Sequence, residues 1–222
     1  MCGRFAFYSP TEATAALFGF NSATVFDARY NIAPTQDIAT GRQNADGERE
    51  VSSLRWGLVP FWAKDPTIGN RMINARAETV AEKPSFRAAY AKRRCLVFAD
   101  GFYEWRTEAS GKTPYFISLA SGEPFAFAGL WESWKDRETG ESLQTSTIIT
   151  TVANDFLAAI HHRMPIVLDP PAAQRWLSGD DAILADLTAD APPFRAWPVS
   201  RRVNSAVNQG EELIEPAGDI LA

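Results

Sequence analysis

The chain has 222 residues, of which 45% are hydrophobic and 22% are charged, with a formal net charge of −5 at pH 7. This is the composition of an ordinary globular protein, and it excludes a long disordered or collagen-like chain. The acidic balance argues against indiscriminate coating of nucleic acid, which depends on Lys and Arg neutralising phosphates. Residues 1–106 nevertheless carry 14 Lys and Arg against 11 Asp and Glu. A local anion-binding face in this half therefore stays open beside the simpler interpretation of solvated surface charge.

No apolar run reaches the roughly 18 residues of a membrane span, and no secretion signal is evident at the N terminus, so we expect a cytoplasmic protein with no membrane partner. The chain contains only two cysteines, Cys2 and Cys95, which excludes a disulfide scaffold and a multi-cysteine zinc site. Cys95 lies in the apolar run RRCLVFAD and is predicted to be a buried, inert thiol. We expect no metal and no cofactor, and a monomer.

The first elements are predicted from short local patterns. GRFAFY predicts a strand, and SPTEATAALF predicts a short helix. In that helix Ser9 would cap the N terminus, with Pro10 in the first turn and Glu12 completing a capping box. Residues 37–50 are polar and contain glycine, which predicts a surface loop or a loose hairpin.

The second half of the chain is dominated by short β-like runs between turn-prone segments. The runs are RRCLVFA, FYEWR, PYFISLA, PFAFAGLW and STIITTV. This pattern is typical of an antiparallel sheet or barrel. PPAAQRWL and DDAILADL predict two later helices. We therefore predict one α+β domain over residues 1–222, with a mostly antiparallel, barrel-like sheet and a few peripheral helices.

The candidate chemistry begins at the front of the chain, in MCGRF. Removal of Met1 would leave Cys2 with a free α-amine and a thiol separated by two carbons. The amine has a pKa near 8 and the thiol about 8.5, so neighbouring groups are expected to favour the reactive form of each. Gly3 is small and would keep the approach to Cys2 open.

Polar residues inside apolar runs are the second signal, because a buried polar group must find partners or a function. INARAET places Asn74, Arg76 and Glu78 at alternate positions, on one face if the segment is extended. Glu104 lies between two aromatic residues, where a carboxyl pKa is raised. HHRMPIV contains both histidines of the chain. Each group alone is compatible with a structural role, but together they are typical of a covalent-catalysis site.

Several blocks in a fixed order resemble one known family. They are MCGRF, YNIAPTQ, RWGLVPFWAKD, NARAET, FADGFYEWR, FAGLWE and HHRMPIVL. They are similar to the SOS response-associated peptidase family, also called abasic-site processing proteins, and the similarity extends to about residue 210. The resemblance implies covalent capture of an abasic site in single-stranded DNA, including at junctions with double-stranded DNA. A protein acting there would associate with the nucleoid.

The resemblance also implies roles for individual residues. Cys2 would react with the sugar aldehyde, Asn74 would orient the amine, and Glu104 and His161 would move protons. The family's H-x-R-M-P pattern selects His161 over its neighbour His162. The implied DNA contacts are Arg4, Pro34, Trp62, Arg76, Trp105, Thr150 and Arg163.

The residues leave two other functions open. The same groups could serve a cysteine peptidase or amidase with an N-terminal nucleophile, the amine acting as base. They could also be structural parts of a non-catalytic module that binds single-stranded DNA.

Overall fold

Two β-sheets form the core of the fold, and the N-terminal strand belongs to the smaller of them. The computed structural model describes residues 2–21, 24–44, 47–109, 111–189 and 191–221. The smaller sheet has five antiparallel strands. In spatial order they are β13 (Phe194–Pro198), β8 (Gly111–Leu119), β7 (Gly101–Glu108), β1 (Phe5–Phe7) and β2 (Arg29–Ile32).

The larger sheet contains a closed ring of five strands. The ring runs through β10 (Ser142–Val152), β4 (Arg49–Trp56), β3 (Asp37–Gln43), β6 (Arg94–Ala99) and β9 (Phe125–Lys135), and β9 pairs again with β10. All of these pairs are antiparallel except β4 with β10. Three short strands extend the ring: β5 (Asn74–Arg76) and β11 (Arg163–Pro165) on β10, and β12 (Val167–Leu168) on β9. Closure leaves few unpaired edges, which is how such barrels avoid intermolecular strand pairing.

Short helices lie around the sheets. They are α1 (Thr11–Leu17), α2 (Arg87–Lys92), α3 (Asp155–Ala158), α4 (Pro170–Leu177) and α5 (Ile183–Ala189), with 3₁₀ turns at Pro66–Arg71, Arg201–Asn204 and Glu211–Leu213. The side chain of Asp169 caps α4 by accepting from Ala172 N, and Trp176 is fully buried. No helix in the described ranges is long and apolar enough to cross a membrane.

Phe5 joins the two sheets. Its ring lies 5.2 Å from Trp56 on β4 and 5.8 Å from Phe127 on β9, both in edge-to-face geometry. All three side chains are fully buried. Burial of such rings is a large contribution to stability, so the start of the chain is held firmly between the sheets.

The predicted α+β class and the antiparallel barrel are confirmed, and Cys95 is buried as predicted. The capping box is wrong: Pro10 occupies the N-cap without a side-chain bond, and Ser9 Oγ donates instead to the carboxylate of Asp100. Of the two alternatives for residues 37–50, a surface loop or a loose hairpin, the structure has the hairpin, in which β3 and β4 pair in continuous register. Its tip at residues 45–46 lies outside the described residues.

Candidate active site

Strand pairing sets the position of Cys2. β1 runs antiparallel to β7, with Phe5 opposite Phe102, and Tyr103 N donates 2.9 Å to Arg4 O. Continuing this register two residues beyond Phe5 places Gly3 level with Glu104. The first residues of the chain therefore lie beside the Glu104 carboxyl group.

Asn74 holds Cys2 from the opposite sheet. β5 runs parallel to β10 with Asn74 next to Ile148, which directs the amide toward the N-terminal strand. Asn74 Nδ2 donates 2.8 Å to Cys2 O. Asn74 Oδ1 is buried and has no hydrogen-bond partner among the described residues. A buried acceptor left in this state is costly, so this atom is suited to a donor supplied by a ligand.

Glu104 and His161 provide two groups with displaced pKa values. Glu104 is only 4% exposed, and burial raises the pKa of its carboxyl group, as the sequence predicted. Burial lowers the pKa of His161. His161 Nδ1 lies 3.0 Å from Arg163 N and 3.1 Å from Arg163 O, so the main chain of Arg163 holds the ring in either neutral tautomer. A carboxyl group with a raised pKa is suited to donate a proton, and an imidazole with a lowered pKa is suited to accept one.

These two groups line one pocket of about 490 Å³. Its other lining residues are Trp105, Lys112 and Asn204. Trp105 Nε1 donates 2.8 Å to Asn204 Oδ1, which fixes the indole at the pocket wall. Sequence analysis missed Lys112 and Asn204, since neither lies in an apolar run and only the tertiary fold brings them here.

The surroundings of the Cys2 thiol affect its protonation. Cys2 is fully buried, and burial raises the pKa of its thiol, with the charge of Glu104 acting in the same direction. Cys2 Sγ lies 4.0 Å from Arg4 O. Burial and the Glu104 charge thus oppose thiolate formation, and activation of the thiol by neighbouring groups once Met1 is removed stays a prediction.

Two predicted phosphate contacts point into the protein. Arg163 pairs with Glu78 at 2.6 Å and 3.0 Å, and donates to Thr150 O at 2.7 Å and Thr150 Oγ1 at 3.2 Å. Arg4 Nη1 donates to Asn31 Oδ1 at 2.6 Å and to Val203 O at 2.7 Å. Their phosphate-binding roles stay predictions.

The other predicted DNA contacts lie nearer the surface. Arg76 is exposed at the end of β5, and Glu78 follows in a turn. The strand face that was predicted to carry Asn74, Arg76 and Glu78 therefore ends at Arg76. Trp62 is 42% exposed, and its Nε1 donates 3.4 Å to Pro84 O. Pro34 is half-buried in the turn after β2. The described lining of the Glu104 pocket includes neither Trp62 nor Pro34.

Metal ligation has no candidate within the described ranges: no group of three or more His, Cys, Asp or Glu side chains is placed to hold an ion.

Comparison of the sequence and the fold with known proteins identifies relatives of this chain. The profile of the SOS response associated peptidase (SRAP) family matches residues 1–206. Abasic site processing protein YoqW of Bacillus subtilis (strain 168) is 44% identical over 224 residues, covering 97% of this chain and 99% of that protein. Abasic site processing protein YedK of Escherichia coli (strain K12) is 35% identical over 228 residues, covering 97% and 100%. A crystal structure of a protein from Bacteroides thetaiotaomicron superposes with a TM-score of 0.85 at 30% identity, covering 97% and 100%. The chain thus belongs to the SOS response associated peptidase family.

Proposed function

We propose that this protein processes abasic sites in single-stranded DNA by capturing them covalently through Cys2, once Met1 has been removed. The observation that carries the proposal is the 2.8 Å hydrogen bond from Asn74 to the Cys2 carbonyl, which keeps the first residues beside Glu104. The relatives named abasic site processing proteins support it, at 35–44% identity over nearly the whole chain.

The first step joins the amine to the sugar. The ring-opened abasic sugar presents an aldehyde, and the neutral α-amine of Cys2 attacks its carbon. The carbinolamine hydroxyl then leaves as water, and a Schiff base remains. Glu104 would supply the proton for that departure, since burial raises its pKa and keeps the carboxyl group protonated at higher pH than usual.

The second step closes the ring. Cys2 Sγ adds to the carbon of the protonated Schiff base, whose nitrogen takes up the C=N electron pair and keeps its proton, which gives a five-membered thiazolidine. The thiol is protonated in its buried setting, so it needs a base at this moment. Glu104, now a carboxylate, would take the thiol proton directly or through the neutral His161, which restores its acid form. The net change is addition of the DNA with loss of one water.

Positioning of the DNA would involve both surface and internal residues. Arg76 is exposed and would contact a phosphate, while Trp62 and Trp105 would stack on bases, an interaction worth roughly 1–3 kcal/mol per base. Pro34 would act with Trp62 as a wedge beside the lesion. We propose that Arg163 acts mainly through His161, whose Nδ1 its main chain holds. Arg4 and Thr150 would hold the surrounding protein groups in place through their hydrogen bonds. The protein would act as a monomer on single-stranded DNA or its junctions with double-stranded DNA.

Intact-protein mass spectrometry tests the proposal. The protein is measured before and after incubation with a single-stranded oligonucleotide that carries one abasic site. We expect loss of Met1, followed by a mass gain equal to the oligonucleotide minus one water. Cys2→Ala should give no adduct, whereas Cys95→Ala, which removes the other buried thiol, should react normally.

Two results would count against this function. An adduct formed by Cys2→Ala at the wild-type rate would overturn the mechanism. Peptide turnover that requires Cys2, without any reaction toward abasic DNA, would instead favour the peptidase.

A further inference from the structure

The positive charges near the pocket are mostly committed to the protein itself. The guanidinium groups of Arg4 and Arg163 donate to protein oxygens at 2.6–3.0 Å, including main-chain carbonyls and the Glu78 carboxylate. A DNA strand threaded past the site carries a phosphate on each side of the abasic sugar. Other cations must therefore balance those charges, because phosphate neutralisation supplies most of the affinity of such binding.

Lys112 is placed to do so. It stands on β8 opposite Thr107 of β7, on the face of the sheet that also carries Trp105. Its side chain is exposed, and it lines the same pocket as Glu104 and His161. Among the described lining residues, Lys112 is the only Lys or Arg. Its charge is also one of the causes that lower the pKa of His161, in keeping with this proximity.

We propose that Lys112 binds a DNA phosphate next to the abasic sugar. Lys112 approaches from the five-stranded sheet and lines the pocket, and the exposed Arg76 belongs to β5 of the larger sheet, outside the pocket lining. A lysine suits this task as a point charge on a flexible stem, which follows a phosphate whose position shifts during ring opening. This inference rests on the proposed function and adds a binding residue to it.

Comparing the reaction rates of two substrates, one with phosphates and one without, distinguishes an effect on phosphate binding from an effect on the chemical step. The first is the abasic oligonucleotide, and the second is 2-deoxyribose, an aldehyde sugar without phosphate. Lys112→Gln should lower the ratio of the oligonucleotide rate to the deoxyribose rate about tenfold at low salt, and less as salt rises. Lys112→Arg should keep the ratio within about twofold, because it keeps the charge. Lys135→Gln is the matched control: Lys135 is exposed at the end of β9, outside the pocket lining.

Binding to an undamaged single-stranded oligonucleotide gives an independent readout. Lys112→Gln should make the slope of log affinity against log salt less steep by about 0.7, the value for one phosphate contact on a single strand. An unchanged slope, or equal rate losses on both substrates, would overturn the role of Lys112. If the wild type forms no adduct but its binding depends on Lys112, the proposed function fails while the phosphate site stands.

Discussion

The side-chain amide of Asn74 donates a 2.8 Å hydrogen bond to the main-chain carbonyl of Cys2. The bond links β5 of the larger sheet to the residues that precede β1 of the smaller one. It acts on the main chain of Cys2, the proposed nucleophile, so it would orient the α-amine and the thiol together. Asn74 Oδ1, buried without a partner in the described part of the chain, remains available to a bound ligand.

Asn74→Ala should slow adduct formation by about 10- to 100-fold, the range expected for losing one or two positioned hydrogen bonds. Single-turnover kinetics with saturating abasic oligonucleotide measures this rate. Asn74→Asp removes the donor and adds a negative charge, and it should be at least as slow. Asn70→Ala is the matched control, since Asn70 accepts from Arg55 at 3.2 Å outside the pocket lining. A wild-type rate in Asn74→Ala would exclude a positioning role.

Glu104→Gln should change the thermal stability and the rate of adduct formation in opposite directions at pH 7 to 8. Burial raises the pKa of Glu104 in the folded state, so the folded protein holds this proton more tightly than the unfolded chain. The wild type therefore loses stability as pH rises from about 4.3, the unfolded value, through the folded pKa. Glu104→Gln carries no charge and should have a higher Tm than the wild type at pH 8, with the difference vanishing near pH 4.

The same variant should form the adduct about 100-fold more slowly, because an amide cannot transfer the proton. Thermal unfolding at the two pH values and adduct kinetics at pH 7 are the measurements. A Tm advantage that is larger at pH 4 than at pH 8 would mean that the carboxyl pKa is not raised.

The two histidines can be followed by NMR titration of their ring carbon-bound protons. Burial lowers the pKa of His161, and the charge of His161 is the main cause of the lowered pKa of His162. We expect the His161 midpoint below about 6.5, with the assignment made in His162→Gln. The sign for stability follows: protonating His161 costs stability as pH falls below about 6.5, so a neutral ring is the stable form at pH 7. A midpoint at or above 6.5 would contradict the burial argument.

The ion pair between Arg163 and Glu78 should contribute more to the free energy of unfolding than surface ion pairs do. Arg163 is buried, and Glu78→Gln would leave its charge without a carboxylate partner. Because Glu78 is 43% exposed and water screens the pair, we expect a loss of only about 1–2 kcal/mol in the free energy of unfolding. Asp186→Asn breaks the exposed pair with Arg175 and should lower the free energy of unfolding by clearly less than Glu78→Gln does.

The pH dependence of this effect has a defined sign. The hydrogen bond from Arg163 lowers the pKa of Glu78, so the pair stabilises the fold above about pH 4.3 and is lost as pH falls through the folded value. Denaturant unfolding of both variants at pH 7 and pH 3 measures this. Equal losses at pH 7 in Glu78→Gln and Asp186→Asn would show that burial adds nothing to the pair.

The local elements were largely readable from sequence. Alternating β-branched and aromatic runs predict strands wherever they pack, which is why the runs after residue 93 appear as β6 to β10. The role of Ser9 was predicted wrongly because its partner is distant in sequence, and for residues 37–50 the sequence did not decide between a loop and a hairpin. The Asp100 carboxylate accepts a hydrogen bond from the Ser9 hydroxyl, and β3 is paired along one edge with β4 and along the other with β6. A polar segment becomes a strand when both edges are paired, and local composition does not report that.

By itself, the sequence determined the candidate reactive groups: an aminothiol at Cys2 if Met1 is removed, a carboxyl group between two aromatic residues at Glu104, and one pair of adjacent histidines. These follow from covalent chemistry and immediate neighbours. Only the tertiary structure decided which charged side chains stay available to a ligand. It directed Arg4 and Arg163 toward protein oxygens, raised the pKa of the buried Cys2 thiol, and brought Lys112 to the pocket wall. Burial and long-range pairing control electrostatics, because a charge interacts with whatever surrounds it in space and not with its neighbours in the chain.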